Sequence, residues 1–172
     1  MDSMSNKPRR ILGVDPGLNI TGYGVLEVRG ASLAIVEAGV VRGGRRSLEA
    51  RLVEIYHGIV EVVTTYEPTW VALEELYSHY ERPRTAILMG HARGVICLAA
   101  EQSGAEIRHY AATRVKKMLT GSGRAPKGQV QAAICQEFRL ASPPDPPDVA
   151  DALAVAMCHY YCQRAGLEVE HL

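Results

Sequence analysis

A strand, a turn and a second strand near the N-terminus constrain the fold of this chain more than any other stretch. Residues 11–27 read ILGVDPGLNITGYGVLE, and an apolar run ends there at Asp15. The Pro-Gly pair that follows is typical of a tight turn, because proline presets φ and glycine allows positive φ. An acidic side chain therefore lies at the end of a buried strand, where an unpaired charge is costly. We expect a cation to meet Asp15; the alternative is that Asp15 only caps the turn.

The length and composition predict one domain with a sizeable core. The chain has 172 residues, of which 47% are hydrophobic and 22% charged, and its net charge is zero. It contains no apolar run of about 18 residues, so we expect no membrane span. The first ten residues, MDSMSNKPRR, lack the apolar segment of a secretory signal. We predict a flexible arm over residues 1–8, a single domain over 9–165 and a C-terminal tail over 166–172.

The cysteine pattern indicates a reducing compartment. No Cys-x-x-Cys pair occurs, and the thiols fall in apolar, mostly helical surroundings. These features favour buried free thiols over zinc ligands or disulfides, and therefore a cytoplasmic protein. The four positions are Cys97, Cys135, Cys158 and Cys162.

Apolar alternation and helical periodicity predict five strands and five helices. The predicted strands cover residues 9–15, 20–29, 31–41, 69–74 and 106–110. The predicted helices cover residues 48–67, 84–103, 112–120, 127–138 and 147–164. Short turns make the first three strands antiparallel, and the fourth, reached through a helix, is predicted to run parallel to the first. The predicted fold class is α/β, with a mixed five-stranded sheet flanked by helices.

Further acids are predicted at strand and helix ends. The fourth strand ends in Glu74 and Glu75, and spacing alone does not choose between them. In the last helix, Asp145 is the predicted N-cap, and the helix dipole accounts for an acid at Asp148. Asp151 lies three residues on, on the same face, so the two carboxylates repel unless they share a cation.

An acidic site of this kind is suited to hard metal ions. Carboxylate ligands without histidine or cysteine clusters favour Mg²⁺ or Mn²⁺ over zinc. Two such ions roughly 4 Å apart form the arrangement that hydrolyses phosphodiesters. The acids at the predicted strand and helix ends therefore indicate a metal-dependent nuclease.

A basic segment next to this acidic site indicates a polyanionic substrate. Between Ile107 and Gln136 the sequence contains no Asp or Glu, and such a face draws phosphates towards a negative site. The alternative is a solvated helix surface. The cations of this segment are Arg108, Arg114, Lys116, Lys117, Arg124 and Lys127. Tyr77, His79 and Tyr80 follow the Glu74 strand and either stack on bases or are ordinary exposed loop residues.

Five motifs in order resemble the RuvC family of bacterial Holliday-junction resolvases. They are GVDPGLNITGYGV, ALEELY, GHARGV, YAATRVKKMLTGSGRAPKGQVQ and DVADALAVAMCH, and the resemblance extends from about residue 10 to 163. It implies an RNase H-like fold and a homodimer whose two sites nick opposite strands of four-way junction DNA in homologous recombination and repair. It also implies two Mg²⁺ or Mn²⁺ ions per active site, 5′-phosphate and 3′-hydroxyl products, and partnership with the RuvA–RuvB branch-migration complex.

The resemblance also assigns roles to individual residues. The acidic tetrad of the family aligns with Asp15, Glu74, Asp148 and Asp151, which selects Glu74 over Glu75. Some relatives have histidine where Asp148 stands, so their metal geometry can differ. The DNA-binding positions of the family align with Tyr77, an aromatic wedge, with Lys116 and Lys127, and with Lys117 beside Lys116. Gly17, Gly22 and Gly24 are expected to let a phosphate backbone approach the metals closely.

Three further expectations can be tested. The predicted dimer interface is the helix over residues 84–103, through a stripe of Leu88, Ala92, Ile96 and Ala99, unless this stripe packs on its own sheet.

An ATPase of the actin and Hsp70 superfamily shares a strand–Asp–Gly turn but needs two such domains, and this chain has room for one. A catalytically silent junction-binding protein is the other alternative, against which the intact tetrad argues.

Overall fold

The structure, a computed structural model, describes residues 8–76 and 83–167. The described residues form five strands: β1 (Arg10–Asp15), β2 (Ile20–Arg29), β3 (Ser32–Arg42), β4 (Trp70–Glu74) and β5 (Glu106–Tyr110). They form five helices: α1 (Leu48–Tyr66), α2 (Pro83–Gln102), α3 (Ala112–Thr120), α4 (Lys127–Phe138) and α5 (Pro147–Arg164). The predicted arm and tail lie outside the described residues, apart from Pro8, Gly166 and Leu167, so the predicted domain limits stay a prediction.

One mixed sheet organises these elements, in the order β3-β2-β1-β4-β5. β1 pairs antiparallel with β2 and parallel with β4, while β2–β3 is antiparallel and β4–β5 parallel. The antiparallel pairs arise from short turns, and the parallel pairs need helical crossovers. The predicted α/β class with a mixed five-stranded sheet is confirmed.

Two hydrophobic layers cover the sheet. Residues of α3, α4 and α5 pack on one face and residues of α1 and α2 on the other. Successive β1 residues alternate between them, so that Ile11 joins the first layer and Leu12 the second, as a strand period of two requires. The last helix, α5, is buried along most of its length, and its apolar sequence is therefore not amphipathic.

Glycines in β1 and β2 let α5 lie close to the sheet. A Cβ at Gly13 would come within 2.1 Å of the Ala152 carbonyl oxygen, and one at Gly22 within 2.0 Å of the Asp148 carbonyl oxygen. A Cβ at Gly24 would meet the Leu153 side chain at 2.5 Å. The expectation that Gly22 and Gly24 admit a phosphate backbone is wrong, because α5 fills that space.

The turn after Asp15 also differs from the prediction. Gly17 does not adopt positive φ, but a Cβ there would lie 2.1 Å from the Ile20 carbonyl oxygen, so the turn itself occupies the space expected for a phosphate. The buried Thr21 hydroxyl donates to the Gly17 carbonyl at 2.7 Å and accepts from its N–H at 3.3 Å. This clamp fixes the turn that follows Asp15.

Two local predictions are resolved by the described residues. The N-cap of α5 is Pro146 rather than Asp145, without a side-chain cap hydrogen bond, so the Asp145 prediction is wrong. The helix begins one residue later than a cap at Asp145 requires. All four cysteines are free, but only Cys158 and Cys162 are fully buried.

None of the helices in the described part of the chain is long and apolar enough to cross a membrane.

The predicted dimer stripe packs within its own molecule. Ala92, Ile96 and Ala99 are buried at 0–1% exposure in the layer that α2 forms with α1 and the sheet. Helical spacing identifies a stripe but does not reveal what covers it. The alternative of intramolecular packing is therefore confirmed for these three residues.

Candidate active site at the carboxylate edge of the sheet

Neighbouring parallel strands bring Asp15 and Glu74 to the same edge of the sheet. Asp15 is the last residue of β1 and Glu74 the last of β4, and the preceding residues Val14 and Leu73 are paired. Adjacent strands lie about 4.8 Å apart, so the two carboxylates leave the sheet side by side. The sequence prediction of two strand-end acids at one edge is confirmed as a matter of geometry.

The first turns of α5 complete the acidic cluster. Gly22 is the antiparallel partner of Asp15, and the backbone of Asp148 lies directly against Gly22. Asp151 follows one turn later and faces the same edge, where it lines a cleft with Asp15 and Glu74. The four predicted acids therefore converge, although they come from three separate elements. We call this cluster of Asp15, Glu74, Asp148 and Asp151 the carboxylate edge.

The cleft at the carboxylate edge has a volume of about 240 Å³ and mixed walls. Lys116 from α3 and Lys127 from α4 line it together with the acids. Small apolar residues form the rest of the wall: Ala112, Val115, Val130 and Ala154. Of the two neighbouring glutamates, Glu74 lines the cleft, whereas the N–H of Glu75 extends the pairing with β5 by donating to the Tyr110 carbonyl at 2.9 Å.

Burial and repulsion between carboxylates raise the pKa of two acids of the carboxylate edge, Asp15 and Glu74. Burial raises the pKa of Asp15 from 3.8 to about 8, and the charges of Glu74, Asp151 and Asp148 add to the increase, while Lys127 opposes it. Burial, followed by Asp151, also raises the pKa of Glu74. Asp15 therefore holds a proton at neutral pH unless a cation compensates its charge. The turn-cap alternative does not account for this environment.

Lys127 supplies part of that compensation. Its Nζ donates to Asp151 Oδ2 at 2.7 Å, and this hydrogen bond is the main reason why its pKa is raised. The lysine side chain is 52% exposed and the aspartate 29%, so solvent screens the pair in part. Lys127, predicted as a DNA contact, is thus also a direct partner of the acidic cluster.

The other cations of the basic segment separate into two groups. Lys116 is half-buried in the cleft wall, and Lys117 is exposed one position further along α3. In contrast, Arg108 forms an ion pair with Glu106, and the Arg114 guanidinium lies 6.0 Å from the centre of the Tyr110 ring. The alternative that this basic segment is only a solvated helix surface therefore does not describe all of its cations.

Arg93 is a site residue that the sequence reasoning missed. From α2, its Nε donates to the Glu74 carbonyl oxygen at 3.1 Å, and its Nη2 contacts His109 Nδ1 at 2.5 Å. It thereby ties α2 to the ends of β4 and β5. Arg93 belongs to the GHARGV motif, so the residue itself stood out in the sequence. Its contact did not, because no local sequence pattern predicts a hydrogen bond to a backbone carbonyl 19 positions away.

The donor set of the carboxylate edge fits hard divalent cations. All four candidate ligands are carboxylates, the type that Mg²⁺ and Mn²⁺ prefer. The raised pKa values of Asp15 and Glu74 show that the negative charge of the cluster is incompletely compensated. Within residues 8–76 and 83–167, no three acidic, histidine or cysteine side chains are already arranged as a metal-ligand set. Tyr77, the predicted aromatic wedge, lies outside the described residues, as do His79 and Tyr80.

Comparison with known proteins matches nearly the whole chain. The family model for crossover junction endodeoxyribonuclease RuvC matches residues 11–159. A crossover junction endodeoxyribonuclease RuvC from Rhodopirellula baltica is 55% identical over 152 residues, covering 88% of this chain and 85% of the relative. The family-model match includes all four acids of the carboxylate edge.

Solved structures agree with this assignment. The RuvC structure from Thermus thermophilus has a TM-score of 0.85 at 30% identity, covering 95% of this chain and 99% of the other. T. thermophilus RuvC in complex with a Holliday junction substrate has a TM-score of 0.88 at 30% identity, with the same coverage. The predicted RNase H-like fold is confirmed. The chain belongs to the RuvC family of crossover junction endodeoxyribonucleases.

Proposed function

We propose that this protein resolves Holliday junctions in homologous recombination and DNA repair by nicking two opposite strands. The observation that carries the proposal is the convergence of Asp15, Glu74 and Asp151 with Lys116 and Lys127 in one cleft. Four acids suit metal-assisted phosphodiester hydrolysis, and the neighbouring lysines suit a polyanionic substrate. A relative in this family has been solved with a Holliday junction substrate.

The carboxylate edge is the proposed metal site. The chain belongs to a family of metal-dependent nucleases. We propose two ions per active site, Mg²⁺ or Mn²⁺, held by Asp15, Glu74, Asp148 and Asp151. Bound there, the ions would lower the pKa of a water molecule and stabilise the charge on the oxygen that leaves phosphorus. The proposed products carry a 5′-phosphate and a 3′-hydroxyl.

Each charged residue of the cleft then has a distinct task. Asp15 gives up the proton that burial and repulsion keep on it, because a cation compensates its charge. Lys127 exchanges its hydrogen bond with Asp151 for a DNA phosphate, which releases Asp151 to bind a metal. Lys116 and Lys117 hold the backbone from the same side, and Tyr77 is the proposed wedge that opens the crossover.

Two cuts in opposite strands require two active sites, so we propose a homodimer. The exposed face of α2 is the revised candidate interface, in place of the buried stripe. Ile87 and Leu98 are 61% and 51% exposed, and they align with Gly94 at helical spacing. Added Cβ atoms at Gly90 and Gly94 would meet nothing within 4 Å, so a second helix can approach there.

Two wider assignments complete the proposal. Branch migration must deliver the crossover to the cleavage site, and we propose the RuvA–RuvB complex as the partner that does so. We also propose a cytoplasmic location, because the proposed substrate is chromosomal DNA.

The test of this function is cleavage of synthetic four-way junctions with Mn²⁺ or Mg²⁺, read on a denaturing gel. We expect paired nicks at symmetric positions in opposite strands, no cleavage in EDTA, and little cleavage of linear duplexes of the same sequence. Junctions with varied crossover sequences reveal the preferred site. Tight binding without any cleavage would instead identify a catalytically silent junction-binding protein.

A further inference from the structure

A second group of cations lies at the same edge of the sheet as Asp15. The connection from β3 to α1 reads RGGRRS over residues 42–47, and we call it the arginine loop. Gly22 of β2 pairs with Asp15 on one side and with Val40 on the other, and β3 ends two residues beyond Val40, at Arg42. Two strand spacings and two residue rises place the Arg42 backbone roughly 12 Å from that of Asp15.

The arginine loop is fixed to the residues that follow the Asp15 turn. The Gly43 N–H donates to the Asn19 carbonyl at 3.1 Å, and a Cβ at Gly43 would lie 2.3 Å from the Leu18 carbonyl oxygen. Arg51 braces the other side, since its Nη1 donates to Asn19 Oδ1 at 3.1 Å and its Nε to the Arg46 carbonyl at 3.0 Å. The loop is therefore held in a defined position beside the carboxylate edge.

Two arginines of the loop are available for an external anion. Arg46 pairs with Glu54 at 2.8 Å, and Arg51 is used in the brace. Arg42 and Arg45 are exposed, and neither side chain has a hydrogen-bond or ion-pair partner among the described residues. Exposed guanidinium groups on a fixed loop are suited to phosphate binding, because the loop backbone is already ordered and only the side chains lose entropy on binding.

The position of the arginine loop complements that of the lysines. Sheet order places β4 and β5 on one side of β1, and β2 and β3 on the other. The loop therefore lies two strands from Asp15, on the side away from Glu74. A separation of roughly 12 Å corresponds to three or four base-pair rises of a DNA strand. A duplex arm that leaves the cleft towards β3 would reach the loop.

We propose that Arg42 and Arg45 form a second phosphate-binding subsite, which holds the duplex arm of the junction on the β3 side of the cleavage site. This inference rests on the proposed function, and it adds a contact surface outside the basic segment of α3 and α4. The arginines bind the DNA backbone without reading sequence, because they contact phosphates rather than base edges.

The test is the salt dependence of junction binding, measured by fluorescence anisotropy in EDTA so that no cleavage occurs. Each lost phosphate contact lowers the slope of log K against log[salt] by about 0.9, so Arg42→Gln/Arg45→Gln is expected to lower it by roughly 1 to 2. We expect Arg42→Lys/Arg45→Lys to keep the slope of the unmodified protein, because a point charge still neutralises a phosphate.

Arg139 provides the matched control. It is exposed at the end of α4, a helix whose 12 residues extend roughly 18 Å from Lys127. Arg139→Gln should leave the slope unchanged, and thermal unfolding should show that all three variants are folded. An unchanged slope in Arg42→Gln/Arg45→Gln, or an equal decrease in Arg139→Gln, would overturn the proposal. If the unmodified protein failed to bind and cut junctions, the proposed function itself would fail instead.

Discussion

Asp15 is the residue at which burial and function conflict most directly. Its carboxyl group lies among three other acids at the end of a buried strand, and its pKa of about 8 means that it is mostly protonated at pH 7 without a cation. Proteins keep such unfavourable groups where they serve binding or catalysis. The cost of the carboxylate edge should therefore be measurable as instability of the metal-free protein.

The pH dependence of stability provides that measurement. The pKa of Asp15 is raised on folding, so its contribution to stability is complete below about pH 4 and is lost as the pH rises through 8. Asp15→Asn removes the titration, so we expect this variant to be more stable than the unmodified protein at pH 8 in EDTA, by about 2 to 4 kcal/mol. The difference should shrink as the pH is lowered towards 4.

Metal binding should reverse the order of stability of the unmodified protein and Asp15→Asn. Mn²⁺ is expected to raise the melting temperature of the unmodified protein, because it binds the folded state, and to affect Asp15→Asn much less. Calorimetric unfolding at several pH values, with EDTA or Mn²⁺, checks both statements. Equal stability of the two proteins at pH 8 in EDTA would show that Asp15 is not in the environment described.

At the scale of elements, the strand and helix pattern was predictable and several contacts between elements were not. Apolar alternation located all five strands, and strand ends located Asp15 and Glu74. Chain order also gave the parallel pairing that brings those two acids together. These features depend on local periodicity and on short connections, both of which are visible in one sequence.

Contacts between different helices and strands left no comparable pattern in the sequence. Gly22 was predicted to face a phosphate but faces α5, because nothing near it in sequence shows that α5 lies there. The buried face of α2 was predicted as an interface, because spacing does not distinguish the two sides of a mixed helix. Arg93 was missed because its partner is a distant backbone carbonyl.

Arg93 connects α2 to the carboxylate edge, and its replacement tests whether that connection positions Glu74. We expect Arg93→Ala to weaken Mn²⁺ binding and to lower the cleavage rate by about 10- to 100-fold, as loss of a supporting contact around metal ligands does. Arg93→Lys should recover part of both. Calorimetric titration with Mn²⁺ and single-turnover cleavage measure the two effects.

Junction binding serves as the reference for the Arg93 variants. It should be nearly unchanged in EDTA, because Arg93 does not line the cleft in which the DNA is proposed to bind. A variant that binds Mn²⁺ and cuts as the unmodified protein does would assign Arg93 to fold stability alone.

At the scale of the whole molecule, the sheet separates two roles. One edge carries the carboxylates, with lysines on one side and the arginine loop on the other, while the exposed face of α2 is available for a second copy. Since α2 also holds Glu74 through Arg93, dimer formation and alignment of the active site share one helix.

Leu98→Glu tests the dimer at this scale. A charge at this exposed hydrophobic residue of the proposed interface should convert the dimer to a monomer at micromolar concentration, as measured by light scattering, while the fold is retained. Glu61→Gln, on the exposed surface of α1, is a control that should stay dimeric. The monomer should still bind junctions but should lose paired cuts in favour of single nicks. An unmodified protein that is monomeric at all concentrations would contradict the homodimer.

The most direct test of the central claim compares cleavage and binding in Asp15→Asn. If the carboxylate edge is the metal-dependent catalytic centre, this variant should cut synthetic junctions at least about 10³-fold more slowly in single-turnover assays with Mn²⁺. Its junction affinity in EDTA should stay within a few-fold of that of the unmodified protein. Cleavage at the normal rate would contradict the account, because a carboxylate essential for metal binding cannot be replaced by an amide without loss.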